Sequence, residues 1–170
     1  GNKMCASLPS NLSFTKVRSG VIHSCGLLSD TTVMCWGTNN SGCLGDGTAT
    51  AAPVPVYTRT IQGSKLSGVT DIGTAYNFSC ALKADGTVWC WGINGYGQLG
   101  TGNTTSQDFP TQVLGITSAV QISIGYYTSC ARKSDGFVWC WGNNAIKQLG
   151  DGTVTARSTP IQLAGITNAV

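Results

Sequence analysis

The stretch SCALKADGTVWCWG, Ser79–Gly92, sets two cysteines around an Asp-Gly turn signal and flanks the second cysteine with tryptophans. Asp-Gly tolerates the positive φ that a tight hairpin turn demands. A hairpin centred on Asp85 places Leu82 opposite Val88, Ala81 opposite Trp89 and Cys80 opposite Cys90. Directly opposed residues of an antiparallel pair have Cα atoms roughly 4.5–5.5 Å apart, inside the roughly 4.4–6.8 Å of a disulfide. The stretch therefore predicts a two-stranded unit stapled across its strands.

The unit recurs as SCGLLSDTTVMCWG at Ser24–Gly37 and SCARKSDGFVWCWG at Ser129–Gly142, so Cys25 pairs with Cys35 and Cys130 with Cys140. A second shared block follows each CWG: TNNSGCLGDGT, INGYGQLGTGN and NNAIKQLGDGT. Pro55, Pro110 and Pro160 then come at the same distance after each LG. The step from Cys25 to Cys80 is 55 residues and from Cys80 to Cys130 it is 50, the extra residues falling between Pro55 and Leu66. A period of about 50 residues is the mark of a repeat architecture. The runs within each repeat are short, β-branched or aromatic, punctuated by Gly, Asp, Asn and Pro, and lack a 3.6-residue period. The reading is all-β, and units of this length suggest four-stranded propeller blades. The expected organisation is an N-terminal overhang over 1–13 and repeats over 14–66, 67–116 and 117–170. Each repeat carries one cross-strand disulfide, and the set forms a partial propeller.

Charged residues make up only 10% of the 170, with ten Lys and Arg, seven Asp and no Glu, for a net charge of +3. The cations are scattered, so no stripe tracks a phosphate backbone and nucleic acid is not an expected partner. No apolar run approaches the ~18–20 residues needed to span a membrane, so insertion is not expected. Zinc, the competing use of paired cysteines, wants close C-x2–4-C pairs. Pairs with nine residues between them, and one His in the chain, do not supply that. Three disulfides imply an oxidising compartment: extracellular space, cell surface or periplasm. Cys43 replaces the Gln98 and Gln148 of the other repeats, and Cys5 precedes the first repeat. They are expected to pair with each other; an interchain link and two free thiols are the alternatives.

HSCGLLSDTTVMCWG, SCALKADGTVWCWG and WGINGYGQLGTGN resemble the regulator of chromosome condensation repeat, and the likeness recurs three times over about residues 14–170. The resemblance implies a β-propeller, commonly of seven blades, and the cysteine pairs are most similar to a secreted bacterial branch. One departure is Lys147, where the earlier repeats have Gly42 and Gly97. If that position takes positive φ, Lys147 is strained or the loop differs.

Little here reads as chemistry, and neither catalytic residue nor cofactor nor metal site is expected. His23 aligns with Phe78 and Thr128, so it is no repeated feature and reads as structural. Asp30, Asp85 and Asp135 occupy equivalent hairpin turns, and Asp46 and Asp151 equivalent loops; Asx turns account for all five. Asp71 and Asp108 have no obvious partner. Without Glu, a carboxylate pair for acid–base work is not in view. Trp36, Trp91 and Trp141 are equivalent, as are Trp89 and Trp139, and repetition marks all five as repeat core. Tyr57, Tyr76, Tyr96, Tyr126 and Tyr127 are less regular and suit a binding face. Glycan sequons stand at Asn11, Asn39, Asn77 and Asn103.

Three repeats do not close a seven-bladed ring. Val170 aligns with Val120 at the start of a strand, and SFTKVRSG at 13–20 resumes at nearly the same phase. The expected function is a non-enzymatic extracellular or cell-surface structural or protein-interaction module. Its open terminal strands, as sticky edges, join copies or another protein into a ring or filament. The alternatives are a binding or inhibitor propeller, similar to a secreted propeller that inhibits β-lactamases, and a piece of a longer propeller. Guanine nucleotide exchange, the activity of the family's name-giving member, is opposed by the disulfides. Peptide mapping of unreduced protein is expected to yield a Cys5–Cys43 crosslinked peptide; recovery of either cysteine as a free thiol contradicts the pairing.

Overall fold

The computed structural model of the chain describes residues 10–167 and 169. Twelve strands and no helix are found among the described residues. The first sheet holds β1 (Phe14–Ser19), β2 (His23–Leu28), β3 (Val33–Gly37) and β4 (Ala52–Tyr57). The second holds β5 (Val69–Thr74), β6 (Phe78–Lys83), β7 (Val88–Gly92) and β8 (Gln107–Gln112). The third holds β9 (Ala119–Ile124), β10 (Thr128–Lys133), β11 (Val138–Gly142) and β12 (Arg157–Gln162). Each sheet is an antiparallel meander in chain order. These are propeller blades, stacked side by side with β5 against β1 and β2, and β9 against β5 and β6. Every described strand belongs to one of these four-stranded blades.

The second and third hairpins take the register that Asp-Gly dictates, and the first takes it with Thr31 at φ 67° in the place of the glycine. Leu82 lies opposite Val88, Ala81 opposite Trp89 and Cys80 opposite Cys90. Cys25–Cys35, Cys80–Cys90 and Cys130–Cys140 are disulfides with Cα atoms 4.0, 4.1 and 4.1 Å apart, one per blade. Each closes a hairpin whose strands are already paired, so it confines the unfolded chain over a short loop.

The CWG motif does a different job. In the second blade Cys90 pairs with Thr111 and Gly92 with Gln107, so residues 108–110 bulge opposite the single residue Trp91. The first and third blades break register in the same place. A bulge is where a fourth strand tolerates a proline, and Pro55, Pro110 and Pro160 all sit there. The glycine that ends the motif has φ of 112°, 106° and 103° at Gly37, Gly92 and Gly142. A Cβ at Gly92 would also come within 2.7 Å of the Phe78 Cα, so any side chain fails there.

The bulge leaves the tryptophan facing the preceding blade. Trp91 and Trp141 are fully buried at the two junctions, and the two hydrophobic clusters lie between blades rather than within them. Leu27, Val33 and Leu44 of the first blade join Val69, Ile72 and Trp91 of the second. Leu82, Val88 and Leu99 of the second join Ile122, Ala131 and Trp141 of the third. A sheet must bury a face against another layer, and here each layer is the next repeat.

The five tryptophans are therefore not equivalent. Trp36 is half-buried, tilted against Phe14 at 5.9 Å between ring centroids, because no described blade precedes it. Trp89 and Trp139 are also half-buried, near the hairpin ends, with Lys83 and Lys133 over their rings at 5.5 and 5.4 Å. Trp91 and Trp141 are fully buried, and Trp139 packs against the second cluster from its edge. Trp91→Ala is expected to destabilise the chain by about 3–5 kcal/mol, the usual cost of emptying a buried aromatic site. Trp36→Ala is expected to cost well under half of that; urea unfolding of the two variants makes the comparison.

Candidate interaction faces

Each blade junction is built on one main-chain carbonyl. The Cys43 carbonyl accepts from the Trp91 Nε1–H at 2.9 Å and from the Ser79 hydroxyl at 3.1 Å. The Gln98 carbonyl accepts from the Trp141 Nε1–H at 2.9 Å and from the Ser129 hydroxyl at 2.9 Å. Below it lies the glycine of LG: a Cβ at Gly45 would meet the Trp91 Nε1 at 2.7 Å, and one at Gly100 the Trp141 Nε1 at 2.8 Å. A third bond crosses from the loop to the bulge, Gly47 N–H to the Asp108 carbonyl at 3.1 Å and Gly102 N–H to the Ser158 carbonyl at 2.8 Å.

The loop that carries the carbonyl is held by an asparagine. Asn39, Asn94 and Asn144 are each fully buried. Their side-chain oxygens accept from Leu44, Leu99 and Leu149 N–H at 2.9, 2.9 and 3.0 Å. Their amide nitrogens donate across the loop, to the Thr48, Asn103 and Thr153 carbonyls among others. This corrects the reading of Asn39 as a glycan acceptor: its amide is enclosed and fully engaged, out of an enzyme's reach in the folded chain. The signal was its recurrence at the same place in every repeat. Asn11 and Asn103 are exposed, and Asn77 is half-buried.

The two outermost blades show the same machinery uncovered. On the first blade, Trp36 and Ser24 occupy the donor positions, and the Ser24 hydroxyl donates to Ser19 Oγ within its own blade, at 3.1 Å. On the third, Gln148 is exposed where Gln98 is fully buried, and among the described residues nothing lies within 4 Å of a Cβ at Gly150 or Gly152. That face contains a hollow of about 510 Å³ bordered by Tyr126, Tyr127, Ile146 and Gln148, with no charged side chain in its lining. Ile146 is 82% exposed. Tyr76 stacks on Tyr126 at 4.9 Å, Tyr126 meets Tyr127 at 4.6 Å and Tyr96 meets Tyr127 at 5.0 Å, so four of the five tyrosines form one cluster along the turns. Tyr57 lies apart, under Lys65. Burial, with help from Tyr126, holds the Tyr127 phenol above its ordinary range.

The titratable residues serve structure. Asp30, Asp85 and Asp135 accept from the N–H two residues on, at 3.0, 2.9 and 3.1 Å, as Asx turns. Hydrogen bonds from Thr32 and Thr87 hold Asp30 and Asp85 below the usual carboxylate range. Asp151 is held lower still by the guanidinium of Arg157 at 2.7 Å. Asp71, which has no partner legible in the sequence, bridges to Lys16 at 3.0 Å. Asp108 contributes its backbone to a junction. The Cys43 thiol is buried and lies 3.0 Å from the Thr38 carbonyl, and burial pushes it up to about 11. Cys5, its expected partner, lies outside the described residues. Among the described residues no three His, Cys or Asp side chains gather as a metal site, and no helix is long and apolar enough to cross a membrane.

The described blades form a three-bladed portion of a β-propeller whose junction chemistry repeats. The chain belongs to the regulator of chromosome condensation (RCC1) repeat family, whose models match residues 14–43, 69–98, 85–132 and 135–170. It is 34% identical over 97 residues, 57% of its length, to the human E3 ubiquitin-protein ligase HERC2, of which it spans only 2%. Human WBSCR16 superposes with a TM-score of 0.78 at 23% identity, over 94% of this chain and 43% of that one. Prp20p of Saccharomyces cerevisiae, described with its binding to Gsp1p and histones, superposes at 0.76 with 18% identity, over 89% of this chain and 38% of its own. The chain thus spans well under half of the proteins it matches. The ligase activity in the name of HERC2 belongs to a protein almost all of which lies beyond the match.

His23 sits at the first junction, 3% exposed, with Nε2 2.7 Å from Ser79 Oγ. Because that hydroxyl donates to Cys43, Nε2 must carry the proton, leaving buried Nδ1 as an unpartnered lone pair. Burial lowers the imidazole to about 4. The unfolded chain takes up this proton near pH 6.5, so the neutral ring's contribution is complete above that value and declines as pH falls toward 4. Between pH 7 and pH 4.5 the wild type is expected to lose roughly 2–3 kcal/mol more stability than His23→Gln, at about 1.4 kcal/mol per unit. Urea unfolding at the two pH values measures this, and equal losses contradict the assignment.

Proposed function

We propose that the chain is a non-enzymatic extracellular or cell-surface protein-interaction module that joins other blades through the faces of its terminal blades, copies associating into a ring or filament. The observation that carries this reading is the match between its two ends. The first blade presents Trp36 and Ser24, the donors of a junction. The third presents the Gln148 carbonyl over the open Gly150, the acceptor. Such a contact is heterologous: it closes to a ring if the rotation allows and otherwise runs on as a filament. A longer chain would satisfy the same faces with its own further blades.

The three disulfides support an oxidising location. The same bridges weigh against nucleotide exchange in a nucleus. Prp20p supports protein binding as a use of this fold. The tyrosine cluster favours a second reading, a binding or inhibitor protein that holds its partner one to one, since tyrosine is among the usual anchors of an interface.

Sedimentation velocity of the unreduced chain over a hundredfold concentration range tests the first reading. Association that grows with concentration and disappears in Trp36→Ser, with the circular dichroism unchanged, is the expected result. A single monomeric species throughout rejects end-to-end association and leaves the one-to-one reading.

A further inference from the structure

The turns that join the first and second strands of the three blades lie side by side. They hold Val21, Tyr76 and Tyr126 at equivalent places. The Val21 N–H donates to the Ala75 carbonyl at 3.3 Å. A Cβ at Gly20 would strike that carbonyl, and one at Gly73 would strike the Ile124 side chain. Glycine at these two places lets the turns come together. Tyr76 of the second blade then stacks on Tyr126 of the third, with ring centroids 4.9 Å apart and the planes 29° from parallel.

A hollow of about 340 Å³ lies along these turns, bordered by Ser19, Val21, Thr74, Tyr76, Ile124 and Tyr126 among others. It shares Tyr126 with the hollow beside Gln148, but its walls come from all three blades, so it exists wherever these blades pack together. Its size is at the small end of ligand sites, which combine a largely apolar wall with a few placed polar groups. Val21 is 66% exposed and Tyr126 58%, apolar surface that the packing of the blades leaves unused. No charged side chain lines the hollow. An ionised ligand would lose water there and find no opposite charge. The polar side chains of the wall carry hydroxyls, and one of these is unmatched. Thr74 Oγ1 is buried with no hydrogen-bond partner among the described residues. A group left in that state costs roughly 1–3 kcal/mol, which a ligand hydroxyl would recover.

We propose that this hollow is a binding site for a neutral, β-linked oligosaccharide whose ring hydroxyls are equatorial. Such a pyranose has two flat faces of C–H groups and a polar rim. Its C–H face suits the negative face of an aromatic ring, and Tyr126 offers an exposed ring. Its rim hydroxyls both donate and accept, as the hydroxyls of Thr74 and Ser19 do, so each can satisfy the other in either sense. The proposal rests on the one-to-one binding reading of the tyrosine cluster and is independent of association between end blades.

Nitration of the full, unreduced chain by tetranitromethane, read by peptide mass, tests the site. Tyr126 is expected to nitrate readily in the free chain. Millimolar cellohexaose is expected to slow that nitration at least fivefold and to leave Tyr57, which lies apart under Lys65, unchanged. A Tyr126 that resists nitration in the free chain shows that the cluster is not an open face, and the binding reading then fails together with the site. A Tyr126 that nitrates equally fast with and without cellohexaose or chitohexaose overturns the saccharide assignment alone. Equal protection by a β-linked glucuronate hexamer or by decaproline overturns it too, because the hollow would then not select a neutral sugar. Titration calorimetry with cellohexaose places the contact: Tyr126→Ala is expected to bind at least tenfold more weakly, and Thr74→Val at least threefold. Wild-type affinity in either variant overturns the site.

Discussion

One carbonyl per junction, accepting from an indole and a hydroxyl of the next blade, is the contact on which the molecule depends. At Cys43 and Gln98 both donors arrive within 3.1 Å, in surroundings walled off from water. Each unmade bond there would leave a buried polar group at a cost of roughly 1–3 kcal/mol. The conspicuous features of the repeat are arranged around this contact. The bulge frees the tryptophan from its own sheet, the proline occupies the bulge, the LG glycine makes room for the ring, and the buried asparagine holds the carbonyl in place.

The division of labour between covalent and non-covalent contacts follows from the same geometry. Disulfides hold hairpins, which are local, and junctions hold blades, which are not. No blade owns a complete core: Leu27 and Val33 of the first are covered by Val69 and Ile72 of the second. A repeat stabilised mainly by its neighbours gains stability with each addition and leaves its outermost members least supported. Reducing conditions would loosen hairpins while leaving the junction donors in place, whereas loss of a junction tryptophan leaves every staple intact and removes one of the junction's two donors.

Much of this was legible in the sequence, and its limits are physical. Hairpin register, the three cysteine pairs and the Asx turns are local consequences of the turn aspartates and the spacing, and the structure repeats them. Direction across blades is not local. Equivalent positions made Trp36, Trp91 and Trp141 look alike, but burial depends on what stands in front of each. Asn39 looked like a sequon because a motif names a residue without its surroundings. The Cys43 position puzzled for the opposite reason. Cys43 can stand where the other repeats have Gln98 and Gln148 because the junction uses the main-chain oxygen, while the glutamine side chains accept from Tyr96 and Ile146 N–H within their own loops. Asp71 pairs with Lys16 across 55 positions of sequence, a separation no local reading reaches.

A perfectly repeating junction carries no instruction to stop. If every blade bore Trp, Ser, carbonyl and glycine in the same places, an open face would accept any copy, and a non-closing series would grow without limit. The repeat is not perfect at one loop position: Lys147 stands where Gly42 and Gly97 stand, at the same left-handed φ and with the same loop hydrogen bond. That conformation costs a residue with a Cβ about 1–2 kcal/mol, and the Asn144 hydrogen bonds to Leu149 N–H and the Thr153 carbonyl hold it in place. The loop's shape is therefore set by the buried asparagine rather than by the glycine.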